Sequence, residues 1–327
     1  MSGHVMNTSS ASISRRGLMI AGAGAALTTL GLSSRAAAAA LTPRQQAGQR
    51  VIFSYSGLTV PQSLLTDQEG GQVRRLPGEP TLSAKKIGEA ADPEGAATDA
   101  GTGAGRLLAS VGMNVNLAPV LDVYRTPGDF EDQFERSYST DPAVCARLGS
   151  AFISAQQRTG VAATAKHFPG LGAATASQNT DVRPVTLNVS RSNLRAIDES
   201  PYTSAIAAGV KLVMASWAIY PTLDARLPAG LSPTIVQQEL RGRLGFQGVT
   251  ITDALSAGAL TNFGTSPQRA VSAARGGMDL MLVTAQDVAQ GQAVVNGLAD
   301  ALQGGQLDQQ TFTAAVTRIT ALRAGLP

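Results

Sequence analysis

The chain has 327 residues, 43% of them hydrophobic and 15% charged, so it carries enough apolar material for a large core and fits no disordered or fibrous class. Its formal charge of +3 depends on Arg15, Arg16 and Arg35, which stand before residue 40 with no acid among them. Without those three the charges balance, and the sequence pI near 9.2 is therefore not a nucleic-acid footprint.

In chain order, Ser14-Arg15-Arg16-Gly17-Leu18-Met19 leads into an Ala/Gly/Leu-rich run that closes on Ser33-Ser34-Arg35 and five alanines. The pattern looks like a twin-arginine signal peptide with a small-residue cleavage region. It predicts that residues 1–40 are removed and that 41–327 reach the envelope or exterior as one domain. A transmembrane anchor is the alternative, but the run is Gly-rich and shorter than the ~20 apolar residues a span needs. The only cysteine is Cys145, so a lipid anchor at the cleavage region and an internal disulfide are both excluded. Beyond the leader His167 is the only histidine, which disfavours metal catalysis; no cofactor is expected.

Short apolar runs then alternate with helical patterns. Strands are predicted at Val51 to Ser54 and Ser63 to Thr66, with a helix over Ala97 to Ser110. Asn114 to Val123 reads as a strand ending near Pro119 and Asp122, Ala143 to Thr159 as a helix, and Val161 to Ala165 as a strand. A helix over Asn193 to Gly209 closes on its glycine and is followed by a strand at Val210 to Ser216. The remaining pairs are a helix at Pro233 to Leu244 with a strand at Gly248 to Thr252, and a helix at Pro267 to Gly276 with a strand at Met278 to Thr284. Two further helical segments start near Asp287.

Repeated strand-helix-strand order argues for a parallel sheet covered by helices. Polar residues recur just after the apolar runs, at Asp67, Asp122, Lys166, His167, Ser216 and Asp253. In a (β/α)8 barrel of the TIM type these tips converge on one face; a doubly wound open sheet is the alternative. Only seven strands are read. The first two are too close for a crossover helix, so the barrel is expected to be irregular at its first βα unit, with one strand possible in reverse. The long polar loop after Lys166-His167, within Gly160 to Pro184, is predicted to be functional.

Five blocks in register carry a family resemblance: Thr66-Asp67-Gln68-Glu69-Gly70-Gly71, Asn116 to Val123, Arg136 to Pro142, Lys166-His167-Phe168-Pro169-Gly170 and Val249-Thr250-Ile251-Thr252-Asp253. Together they resemble glycoside hydrolase family 3, in its single-domain branch typified by bacterial β-N-acetylglucosaminidases. The resemblance implies hydrolysis of a terminal β-linked sugar with retention, Asp253 as nucleophile, and Asp67, Arg75, Arg136, Lys166 and His167 as sugar-binding groups. Asp122 binds sugar or holds a neighbouring basic residue.

The chain departs from the family where the acid/base is expected. The branch carries an Asp-x-His dyad in the loop after Lys-His-Phe-Pro-Gly, whereas Ser177 and Asn179 stand here; Leu171 and Trp217 also replace histidines. Asp181 is the candidate acid/base, unless it pairs with Arg183. Glu131, Asp132 and Glu135 are alternatives. A noncatalytic glycan-binding envelope protein on the same fold is the second functional expectation.

Overall fold

The computed structural model describes residues 38, 40–53, 65–285 and 287–327. The leader falls almost wholly outside the described residues, as do the end of the first predicted strand and the start of the second. No described helix is long and apolar enough to cross a membrane.

Seven strands form one sheet: β1 (Val51–Phe53), β2 (Leu65–Thr66), β5 (Val115–Asn116), β6 (Ala162–Phe168), β7 (Leu212–Ala215), β10 (Val249–Ala254) and β11 (Leu280–Val283). Their order is β1-β11-β10-β7-β6-β5-β2, with every pairing parallel, so successive strands lie side by side around a TIM-type barrel. The reversed strand allowed for at the start is not there: β1 runs parallel to β11 and β2 parallel to β5. Two antiparallel hairpins decorate the strand tips, β3 (Gln68–Gly70) with β4 (Val73–Arg74) and β8 (Ile219–Tyr220) with β9 (Asp224–Pro228).

Strand faces follow from alternation. Leu212 and Met214, Val249 and Ile251, and Leu280 and Leu282 share one buried cluster with Leu117 and Ala162, which is the barrel interior. The last helix, Gln309–Ala324, sends Ile319 into the same cluster. Val213, Met281 and Val283 alternate with these and pack in the clusters that lie against the helices. Burial on both faces explains why β6, β7 and β11 read as unbroken buried runs.

Helix starts are written plainly in the sequence. Asp92 and Asp141 cap helices Pro93–Ser110 and Pro142–Gln157, each with proline at the first helical position, where a missing N–H costs nothing. Thr265 forms a capping box with Gln268, and Gly277 ends that helix, Ser266–Gly276, at φ 102°. Elsewhere regularity is lower than predicted. The strand expected over Asn114 to Val123 is regular only at Val115–Asn116, with one isolated parallel bridge further on, Val120 to Lys166. Pro119 has no N–H to donate, although Ala118 and Pro119 still accept hydrogen bonds from Thr164 and Lys166. The helix expected over Asn193 to Gly209 begins at Arg191 and passes through a π-turn at Leu194–Asp198.

At the N-terminal end of the strands, buried Asp279 accepts from Arg241 (2.6 Å) and Arg318 (2.7 Å), while Arg50 donates to the carbonyls of Met278 and Asp279. This knot ties β1, β11 and the last helix together on the face opposite the site.

Candidate active site

All five chemical blocks contribute at the C-terminal ends of the strands: Asp67 and Glu69 after β2, Asp122 after β5, Lys166 and His167 in β6, Asp253 in β10, and Arg136 from the segment after Asp122. Along β10, Val249 and Ile251 face the barrel interior, and the register with β11 then shifts between Ile251 and Ala254, an irregularity at the strand tip where Asp253 stands. The Asp253 carboxylate accepts only the Ala254 N–H (2.6 Å) and forms no ion pair among the described residues. The helical segments that follow are capped by Ala257 and Thr265, not by Asp253.

Lys166 and His167 lie within β6 rather than beyond it, since the strand extends to Phe168. The parallel register with β7 shifts between Ala165 and Phe168, an irregularity of the kind that re-aims side chains. The Lys166–His167 and Phe168–Pro169 peptides are cis. The Lys166 ammonium is buried between Asp67 Oδ1 (2.7 Å) and Glu69 Oε1 (2.7 Å), whose charges outweigh burial and raise its pKa.

Glu69 is the hub that the sequence left unassigned. Arg136 grips it with two bonds, Nε to Oε2 at 2.9 Å and Nη2 to Oε1 at 2.8 Å. Burial acts to raise its carboxyl, but Arg136 and Lys166 overcome this and hold it well below the usual range. A signal for it was present: two cations due to converge at strand tips need a buried counter-charge, and Glu69 stands two residues after Asp67. The turn after it needs Gly70 and Gly71, at φ 121° and 55°, and a Cβ on Gly71 would clash with Ser83.

Asp122 is fully buried, and its oxygens take the His167 Nδ1 (2.7 Å), the His167 backbone N–H and the Leu171 N–H (2.6 Å). Of its two expected roles the structure assigns the second: it holds the histidine. Burial acts to lower the His167 pKa, but the Asp122 charge and hydrogen bond prevail and raise it. Asp122, Glu131 and His167 place donor atoms within 4.8 Å of one another, a grouping that resembles a metal ligand set. Arg136 Nη1, 3.1 Å from Glu131 Oε2, already supplies positive charge there, and Asp122 is saturated by N–H donors. These residues fit a hydrogen-bonded network better than a cation site.

The loop that should bring the acid folds back over the mouth. Ser177 is exposed and Asn179 Oδ1 accepts the Asp181 N–H (2.8 Å), so the positions of the missing dyad serve the loop itself. Thr180 and Asp181 then accept hydrogen bonds from Ala259 N (2.9 Å) and Gly258 N (2.7 Å), just after the β10 tip. Asp181 makes no ion pair with Arg183. The Asp181 side chain is exposed at the loop surface, yet the neighbouring protein desolvates it in part; this desolvation, followed by the charge of Asp253, raises its carboxyl pKa, while His167 and Arg136 pull the other way. Asp181 and Asp253 therefore share one electrostatic environment.

The other candidate acids are occupied. Asp132 binds Lys85 (2.6 Å), Glu135 accepts from Ser83 (2.8 Å), and Glu131 is buried behind Arg136 and His167. Arg75 is not drawn into the cluster: its backbone N–H is bonded to Gln68 Oε1, while its side chain is exposed and makes no hydrogen bond or ion pair among the described residues. Trp217, where the family has a histidine, is buried and donates its indole N–H to the Ala254 carbonyl (2.9 Å), bracing the β10 tip.

Comparison with known proteins accounts for this arrangement. Residues 23–322 match the profile of the glycosyl hydrolase family 3 N-terminal domain. The chain is 42% identical over 328 residues to an uncharacterized secreted glycosyl hydrolase of Arthroderma benhamiae, covering 86% of this chain and 93% of that protein. It is 31% identical over 290 residues to beta-hexosaminidase A of Pseudoalteromonas piscicida, covering 82% of this chain and 48% of that one. Among solved structures, a family 3 beta-N-acetylglucosaminidase from Paenibacillus sp. str. FPU-7 superposes with a TM-score of 0.81 at 29% identity, covering 88% of this chain and 63% of that chain. The chain thus spans about half of the Pseudoalteromonas relative and under two thirds of the Paenibacillus one. It belongs to glycosyl hydrolase family 3 and is a glycoside hydrolase with that family's barrel.

Proposed function

We propose that the protein is an exported exo-acting glycosidase that removes a terminal β-linked sugar with retention, hexosaminidase-like or glucosidase-like in specificity. Asp253 is the nucleophile and Asp181 the general acid/base. Asp67, Arg136, Lys166 and His167 bind the sugar, and Arg75 joins them from the rim. The observation that carries the reading is the pair of bonds from Gly258 N and Ala259 N that ties the backbone of Asp181 and Thr180 to the segment just after the strand tip bearing Asp253; the raised Asp181 carboxyl accords with it. Retention needs one carboxylate to attack and a second, still protonated, to donate to the leaving oxygen, at a separation of about 5 to 5.5 Å. Two carboxyls in one field, one of them pushed up, supply that division. Relatives named as beta-hexosaminidases support an amino sugar as substrate. The fungal relative named as secreted supports export, for which residues 1–40 form the leader and 41–327 the active domain.

The decisive experiment compares the purified protein with Asp253→Ala on nitrophenyl β-glycosides, including the N-acetylglucosaminide. Turnover by the parent that vanishes in the variant is expected, with a glycosyl ester on Asp253 trapped by a slow fluorosugar. Absence of turnover by the parent on every good leaving group sinks the hydrolase reading and favours the glycan-binding alternative, which the replacement of the loop dyad by Ser177 and Asn179 suggests.

A further inference from the structure

Glu131 is a buried ionisable group at the site that the proposed chemistry leaves without a task. It stands on the single turn Phe130–Gln133, which is pinned to the acid loop by Phe130 N to Ala174 O (3.0 Å) and Gln133 Nε2 to Ala176 O (3.1 Å). Its side chain is fully buried. Oε1 lies 3.3 Å from Arg136 Nη1 and 3.8 Å from His167 Nδ1, and Oε2 has no well-aligned hydrogen-bond donor. Glu131 thus backs both residues assigned to the sugar while touching none of the pocket surface.

The charges around it do not balance. Asp122, packed against it from the strand segment after β5, Glu69 from β3 and its own carboxyl meet Arg136 and the ionisable His167; Lys166 and Asp67 complete the cluster. With His167 neutral, four carboxyls face two cations, and one proton held between Glu131 and His167 relieves part of the excess. Glu131 is where that proton is best held: burial and the Asp122 charge push its pKa up to about 7, against Arg136 and His167. His167 Nδ1 is committed to Asp122, and Nε2 has no protein partner among the described residues. A protonated Glu131 beside a neutral imidazole, and an ionised Glu131 beside an imidazolium, contain the same number of protons. They differ in whether Nε2 accepts or donates.

We propose that Glu131 is a positioning residue for sugar binding, whose buried carboxyl orients Arg136 and, by exchanging charge with the imidazole, sets whether His167 Nε2 donates to or accepts from a sugar hydroxyl. The proposal rests on the reading of Arg136 and His167 as sugar-binding groups. It predicts that affinity for a sugar changes with pH near neutrality through Glu131.

The test measures binding of N-acetylglucosamine and of glucose from about pH 5 to 8, followed by the fluorescence of Trp217, the only tryptophan. Parent and Glu131→Gln proteins are compared. Glu131→Gln is expected to weaken binding roughly 10-fold to 100-fold, as for a lost charge-assisted contact, and to flatten the pH curve. Parent-like binding by Glu131→Gln, or a loss equal at every pH, overturns the proposal in favour of packing alone. Should Glu131→Gln fail to fold, the imidazole of His167 is titrated by NMR in the intact protein. Nδ1 is expected to stay protonated while Nε2 titrates above the ordinary histidine value, and titration at or below that value overturns the proposal. If no protein binds either sugar, the sugar-site reading fails, while the same titration still reports on the Glu131–His167 pair.

Discussion

At the scale of single residues, the two pocket carboxyls differ in what surrounds them. Asp253 leaves the end of an interior-facing strand and is bonded only to the next backbone N–H. Asp181 sits on a loop where partial desolvation and the neighbouring charge of Asp253 favour its neutral form. An acid whose pKa is raised stays protonated to higher pH, so it should set the alkaline limb of kcat/KM. Asp181→Asn is therefore expected to remove the alkaline limb and to lower turnover about 10²-fold to 10⁴-fold on substrates with poor leaving groups. Nitrophenyl substrates, which need little protonation, should be less affected. An unchanged alkaline limb in the variant would transfer the acid role elsewhere. The sequence made Asp253, Lys166 and His167 legible because each follows a short apolar run at a strand end. Glu69 was signalled only by the need of converging cations for a buried counter-charge and by its place two residues after Asp67, and nothing local marked Glu131 as its backing, because which cations a buried acid serves is decided when distant segments come together. The sequence also left Asp122 undecided, and three N–H donors converging on that carboxylate resolve it as a holder of His167.

At the scale of elements, the acid loop and the nucleophile strand form one unit. The bonds from Gly258 and Ala259 to the carbonyls of Asp181 and Thr180 fix the loop's height over the β10 tip. Gly258 has no room for a side chain, since a Cβ would clash with the carbonyl of Val182. Gly258→Ala should lift the loop and with it Asp181. A misplacement of about 1 Å is enough to lower kcat roughly 10²-fold, with KM and glycosylation by activated substrates changed much less. Equal losses on activated and unactivated substrates would instead point to a displaced Asp253. Such a latch is not visible in sequence, because Thr180 and Gly258 are far apart in the chain and contribute backbone groups. The helices were easier to read: Asp-Pro and Thr-Ser-Pro starts and a Gly277 stop are local chemistry. The hairpins β3–β4 and β8–β9 escaped because β3, β4 and β8 are only two or three residues long, and the five residues of β9, half-buried or exposed up to its last, carry no in-out alternation.

At the scale of the molecule, the buried acids give the stability a predictable dependence on pH. Burial pushes Glu131 and Asp198 up to about 7, the latter despite its ion pair with Arg125. Unfolded carboxyls titrate near 4, so the folded protein binds protons more tightly, and each group's stabilising effect is present at low pH and lost as pH rises from about 4 through 7. His167, raised in the fold, adds in the same sense: its contribution is full below about 6.5 and is lost as pH rises through its folded value. Glu69 has the opposite sign, because Arg136 and Lys166 hold its carboxyl low against burial; its contribution is present above about 4 and is lost on further acidification. The two trends bracket a maximum in mildly acidic solution. Denaturant midpoints should therefore be higher at about pH 5 than at pH 8, with a slope of at most about 1.4 kcal/mol per pH unit for each titrating group. Asp198→Asn removes one contributor and should flatten that slope. Stability that rises between pH 5 and 8 in the parent would mean that these carboxyls are ionised in the fold. The proton assigned to Glu131 would then have no place in the site.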